Sequence, residues 1–146
     1  MHLYEAHLPV SDLDQSINFY REILGWRLGY ENRERNIAFL LSNDEPETMI
    51  GLWGPGSLYG TMSKHHVAFW MELDELLVNF QSMKQEGFAV HGFSGETEEP
   101  SVIGWMPTAQ FYFDDLDGHS VEFIARVQGE SDPSFLGPLS DWMVRL

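Results

Sequence analysis

The chain has 146 residues, 43% of them apolar, with 8 basic against 23 acidic side chains, a formal charge of -15 and no cysteine. A chain of this length buries roughly two-thirds of its unfolded surface in one domain, and the lack of cysteine excludes disulfide frameworks, thiolate metal sites and cysteine nucleophiles. The acidity argues against nucleic acid and anionic lipid as partners; with no apolar run near the ~18 residues of a membrane span and no export-type leader, a cytoplasmic location is expected.

Leu3 to Val10 reads as an opening strand, with Tyr4, Ala6, Leu8 and Val10 on one face and Glu5, His7 and Pro9 on the other. Leu13, Ile17, Phe19, Tyr20, Ile23 and Leu24 then recur at helical spacing, preceded by Ser11 and Asp12 as caps and ended by Gly25. Strand-like runs follow at about 26–30, 37–41 and 48–53, separated by polar turns. After a linker at 54–63, a strand from Lys64, an amphipathic helix ending at Gly87 and another strand repeat that order. In register, Glu5 aligns with His66, Val10 with Met71 and Phe19 with Phe80. The runs AQFYFDD and HSVEFIARV supply two closing strands, joined through Asp117-Gly118, a pair favoured in tight hairpins. The stretch 94–107 reads as a long Gly- and acid-rich loop suited to covering a ligand, and the tail 127–146 as a docking segment anchored by Phe135, Leu136, Leu139 and Trp142.

The expected fold is therefore α+β: one domain of two βαβββ units, at about 3–53 and 64–126, forming an open, cleft-containing β-barrel with the helices outside. The apolar face of the opening strand should lie under the helix, which leaves Glu5 and His7 toward the cleft.

Two pieces make the sequence recognisable: Val-x-Asp-Leu-x-x-Ser-x-x-Phe-Tyr-x-x-x-Leu-Gly at 10–25 and Asp-x-Asp-Gly-His-x-x-Glu at 115–122. With them the chain resembles the vicinal oxygen chelate superfamily of glyoxalases, bleomycin-resistance proteins, fosfomycin-resistance enzymes and extradiol dioxygenases, over about residues 3–126. The resemblance implies a divalent ion (Zn, Ni, Mn or Fe) held by Glu5, His66 and Glu122, a small-molecule substrate chelating it through two oxygens, and a homodimer. The fourth family position falls near Gly51, which has no ligating side chain, and Glu5 stands where His or Gln is usual.

Glu122, set among apolar neighbours, independently demands a compensating cation or donor, because a buried carboxylate costs several kcal/mol without one. His7 either replaces Glu5 as a ligand, stands beside the ion as a proton carrier suited to neutral pH, or only hydrogen-bonds within the cleft. His7 and Glu122 are thus the catalytic candidates, and Trp53, Trp70, Trp105, Met106 and Tyr112 the candidates for lining the site. His65 reads as structural and His119 as part of the hairpin turn.

The expected function is a metal-dependent, glyoxalase-like lyase or isomerase, with ring-cleaving dioxygenase or fosfomycin-type thiol transfer as variants. The alternative is a metal-free binding protein of the bleomycin-resistance type that sequesters a cationic or aromatic molecule, favoured by Gly51 and Glu5.

Overall fold

A computed structural model describes all 146 residues, which divide by contact into two compact units. Unit one comprises Met1–His65 and the short segment Asp115–Gly118; unit two comprises His66–Asp114 and His119–Leu146.

Unit one contains β1 (Glu5–Pro9), α1 (Leu13–Leu24), β2 (Arg27–Asn32), β3 (Ile37–Leu41) and β4 (Met49–Trp53). Its sheet runs β1-β4-β3-β2, with β1 parallel to β4 and the other pairs antiparallel. Asp12, not Ser11, caps α1: its carboxylate accepts from the Gln15 N–H at 3.0 Å. Gly25 closes the helix in the left-handed region at φ 66°, where its N–H bonds the Arg21 carbonyl. Leu13, Ile17 and Tyr20 face the sheet, on which Leu8, Ala38, Leu40, Ile50 and Leu52 complete the core. Tyr4, expected beneath the helix, lies ahead of the strand: its carbonyl accepts from the Met49 N–H at 2.9 Å, but its side chain is exposed.

The segment Asp115–Gly118 explains why the two signature motifs accompany each other. The buried Tyr20 hydroxyl donates to Asp115 Oδ2 at 2.6 Å, and the Ser11 N–H donates to Asp117 Oδ2 at 3.1 Å. Asp115 Oδ1 also accepts from the Asp117 N–H, so this connection is a carboxylate-braced loop rather than a tight two-residue hairpin, with Gly118 supplying φ 80°. His119 is fully buried, a core position and not a surface turn residue.

Unit two contains β5 (His66–Trp70), α2 (Leu73–Gln85), β6 (His91–Gly92), β7 (Gly95–Glu96), β8 (Ser101–Ile103), β9 (Thr108–Asp114), β10 (Ser120–Arg126), β11 (Leu136–Pro138) and α3 (Leu139–Met143). The main path is β11-β8-β9-β10-β5, with β6 joining β9 and β7 joining β6. One face packs on α2 through Phe80, Phe111, Phe113 and Phe123, whose rings meet edge-on at 5.2–5.5 Å.

The strand expected after α2 shrinks to two residues because the chain turns tightly behind Gly87 and spends Phe88 and Val90 on the core. The expected loop at 94–107 instead contributes β7 and β8, and the tail pairs β11 with β8. Leu139 and Trp142 anchor the tail, the indole donating to the Gln128 carbonyl at 2.7 Å. Leu136 does not anchor it: opposite Ile103 at the sheet edge its side chain stays exposed. Near the C-terminus Arg145 pairs with Asp132 and lies over Phe135 and Trp142; hydrogen bonds from Ser134 and then this guanidinium hold Asp132 at about 2.

Candidate functional site

Residues directly opposite in a ladder share a face, and alternation assigns the rest. On the face of unit two away from α2, register gathers His66 from β5, Ser120 and Glu122 from β10, Thr108, Gln110 and Tyr112 from β9, and His91 from β6. His66 Nε2 lies 2.9 Å from Glu122 Oε2, and its Nδ1 lies 3.3 Å from Ser120 Oγ. The imidazole is half exposed while the carboxylate is 7% exposed, so the pair has one solvent-facing and one buried member.

Burial pushes the Glu122 carboxyl above the usual carboxylate range, and the charge and hydrogen bond of His66 only partly offset this. Tyr112 stands directly across the ladder, its ionisation driven up by burial and then by Glu122. Its hydroxyl hydrogen-bonds toward the carboxylate and adds to the lowering by His66, while the buried Oε1 itself has no partner. Two ligating atoms joined by a proton, beside an orphaned carboxylate oxygen, are a donor set a divalent cation would satisfy.

On the corresponding face of unit one, His7, Gly51 and Phe39 form one cross-strand row. Glu5 is exposed, with Oε2 3.4 Å from His7 Nε2 but no aligned hydrogen bond. The His7 ring packs among Phe39, Trp53 and Tyr59 at centroid distances of 5.3–5.8 Å. A Cβ at Gly51 would meet His7 Cδ2 at 2.8 Å, Phe39 Cε1 at 2.9 Å and Trp53 Nε1 at 3.0 Å. The place of a fourth ligand is therefore filled by aromatic edges, and Gly51→Ala is expected to cost about 1–3 kcal/mol, read as a lower urea midpoint at unchanged slope.

Among the other candidates, Trp53 is buried with its indole N–H unpaired, Trp70 and Trp105 are largely exposed, and Met106 and Tyr112 are half-buried. His65 bonds Ser63 Oγ at 2.8 Å, a local contact. Nowhere does the structure gather three or more His, Asp or Glu side chains into a set arranged for one ion; within unit two, His66 and Glu122 come together. Sequence reasoning missed His91, which stacks on Tyr112 at 5.6 Å, and Gln110, both on the same face as Glu122; alternation along AQFYFDD from Tyr112 marks Gln110.

The model of the Glyoxalase/Bleomycin resistance protein/Dioxygenase superfamily matches residues 2–123. The chain belongs to this superfamily. Within it, the chain is 30% identical over 145 residues to a lactoylglutathione lyase of Haemophilus influenzae, covering 94% of this chain and 99% of that protein. A lactoylglutathione lyase of Neisseria meningitidis is 26% identical, with 92% and 98% covered.

Among solved structures, an integron cassette protein from the mobile metagenome of Halifax Harbour Sewage Outfall superposes with a TM-score of 0.71 at 29% identity, over 85% of this chain and 97% of that one. The fosfomycin resistance protein of Listeria monocytogenes, solved with Mn(II) and sulfate, superposes at 0.61 with 23% identity, over 87% and 90%. The α+β fold with two sheets is that of these superfamily members. No helix is long and apolar enough to cross a membrane.

Proposed function

We propose that the protein is a glyoxalase-like enzyme that binds a divalent ion and acts on a small substrate offering two adjacent oxygens. The observation that carries this is the buried, orphaned Oε1 of Glu122 beside the His66–Glu122 pair at 2.9 Å. The relatives named as lactoylglutathione lyases support the reaction class, and the neighbour solved with Mn(II) supports the ion.

His66 and Glu122 of unit two would be ligands. Held there, a divalent ion would supply Lewis-acid polarisation of the substrate oxygens. Of the chain's own groups, Glu122 holds a proton more readily than a solvated carboxylate does, which suits it to taking one from a carbon beside a carbonyl. His66 orients the carboxylate through the 2.9 Å contact, and the Tyr112 hydroxyl hydrogen-bonds toward it from across the ladder. His7 acts within its aromatic surround as a second proton carrier. A cytoplasmic homodimer belongs to the same proposal.

The test is elemental analysis of chelator-free protein, together with thioester formation from methylglyoxal and glutathione, followed in the ultraviolet. Stoichiometric ion and ion-dependent turnover are expected; a protein that takes up no ion when titrated with Mn2+, Ni2+ or Zn2+ refutes the reading. Metal-free sequestration of a cationic or aromatic molecule is the second reading, favoured by the ring cluster around Gly51 and the -15 charge. It requires salt-sensitive binding without any ion.

A further inference from the structure

Gln110 is fully buried, yet its carboxamide nitrogen has no hydrogen-bond partner. The other end of the amide is fixed: Thr108 Oγ1, buried on the same strand face, donates to Gln110 Oε1 at 3.0 Å, which turns the NH2 away from Thr108. A buried amide donor left unpaired is disfavoured by the full loss of its hydration, so a position that retains one needs a reason outside the folded chain.

The register supplies that reason. Gln110 stands opposite Ile124 of β10, so Glu122, two residues away on the same face, is its diagonal neighbour. One buried donor and one buried acceptor, both unsatisfied, therefore occupy diagonal positions on one sheet face. On its other flank Gln110 faces Ser101 of β8, and Ser101 lines a cavity of about 290 Å3 shared with Phe93, Thr97, Leu136 and Pro138. Phe93 packs edge-on against Tyr112 at 5.6 Å, which joins the cavity wall to the strand carrying Gln110. Along the register the order is Glu122, Gln110 and then Ser101 at the cavity wall.

We propose that Gln110 is a specificity residue whose NH2 donates to an acceptor oxygen of the substrate, a carbonyl or amide oxygen lying beyond the two chelating oxygens on the side of the cavity. This rests on the ion-binding reading of Glu122 and extends it to the substrate: a molecule with a third oxygen acceptor is favoured over one with the chelating pair alone. Thr108 is the positioning residue that keeps the amide turned.

The test compares two chelating probes by titration calorimetry on Mn2+-loaded protein: acetohydroxamate, which has only the two chelating oxygens, and a hydroxamate extended by a two-carbon chain to a primary amide. Wild type is expected to bind the extended probe more tightly. In Gln110→Met, of matching length, that advantage should fall about tenfold, the value of one hydrogen bond, while acetohydroxamate and Mn2+ bind as before. Thr108→Val should reduce the same advantage by a smaller factor. The ion-free Gln110→Met protein should melt no lower than wild type, because it loses an unsatisfied donor.

Equal affinity of wild type for the two probes, an undiminished advantage in Gln110→Met, or a melting temperature several degrees lower in that variant would each overturn the inference and leave the proposed function standing. Failure of wild type to bind Mn2+ overturns the proposed function, and this inference with it.

Discussion

Glu122→Gln is expected to remove divalent-ion binding and reduce turnover by roughly 10²–10⁴-fold, the usual value of a positioned proton carrier, while leaving the ion-free protein at least as stable as wild type at pH 7. The sign follows from the direction of the shift. Burial raises the folded-state value of Glu122 above its unfolded one, so its favourable contribution is complete below the unfolded value, near ~4.5. It is lost as pH rises through the raised folded value. At neutral pH the ionised carboxylate opposes folding, and glutamine reproduces the neutral form. The gain should be of order 1 kcal/mol, about 2–4 °C in melting temperature, and should vanish near pH 4. Linkage requires ion binding to release a proton and to tighten with pH across the carboxyl's titration. Scanning calorimetry at the two pH values and ion titrations in buffers of different ionisation heat check these expectations. A Glu122→Gln protein that is markedly less stable at pH 7 would make the carboxylate a structural partner of His66 instead.

The second large effect falls on Tyr20 and Asp115. Both are buried, and their 2.6 Å hydrogen bond joins α1 to the braced loop. Tyr20→Phe leaves Asp115 Oδ2 without this donor, and Asp115→Ala leaves the Tyr20 hydroxyl in an apolar surround; each is expected to cost about 2–3 kcal/mol. The double variant should lose less than the sum, because the groups share one interaction, with a coupling of about 1–2 kcal/mol in a urea-denaturation cycle. Additive losses would show that the two act independently.

Much of this was legible in the sequence because the period-2 and 3.6 patterns are clean where one face is buried. α1 follows the 3.6 pattern closely, Ile37–Leu41 reads as a strand through its short unbroken apolar run, and the repeat aligned Glu5 with His66. His66 and Glu122 come together because β5 and β10 are neighbours, a pairing that links distant parts of the chain and that no local period reports. The short strands β6, β7 and β8 were illegible for the opposite reason: two or three residues among glycines and acids carry no period, and tertiary pairing alone makes them strands. Trp53 shows another limit, since an aromatic residue at a strand end reads alike whether it lines a ligand or fills an interior.

The discontinuity of unit one bears on how the molecule is made. A polypeptide cut in the linker would carry α1 with the Tyr20 hydroxyl enclosed and its acceptor missing, because residues 115–118 arrive with the second repeat. During synthesis the first repeat would have to wait, incompletely packed, until the last hairpin has emerged. The two halves, though similar in pattern, are not interchangeable spare parts: the earlier one is finished by a loop the later one lends it.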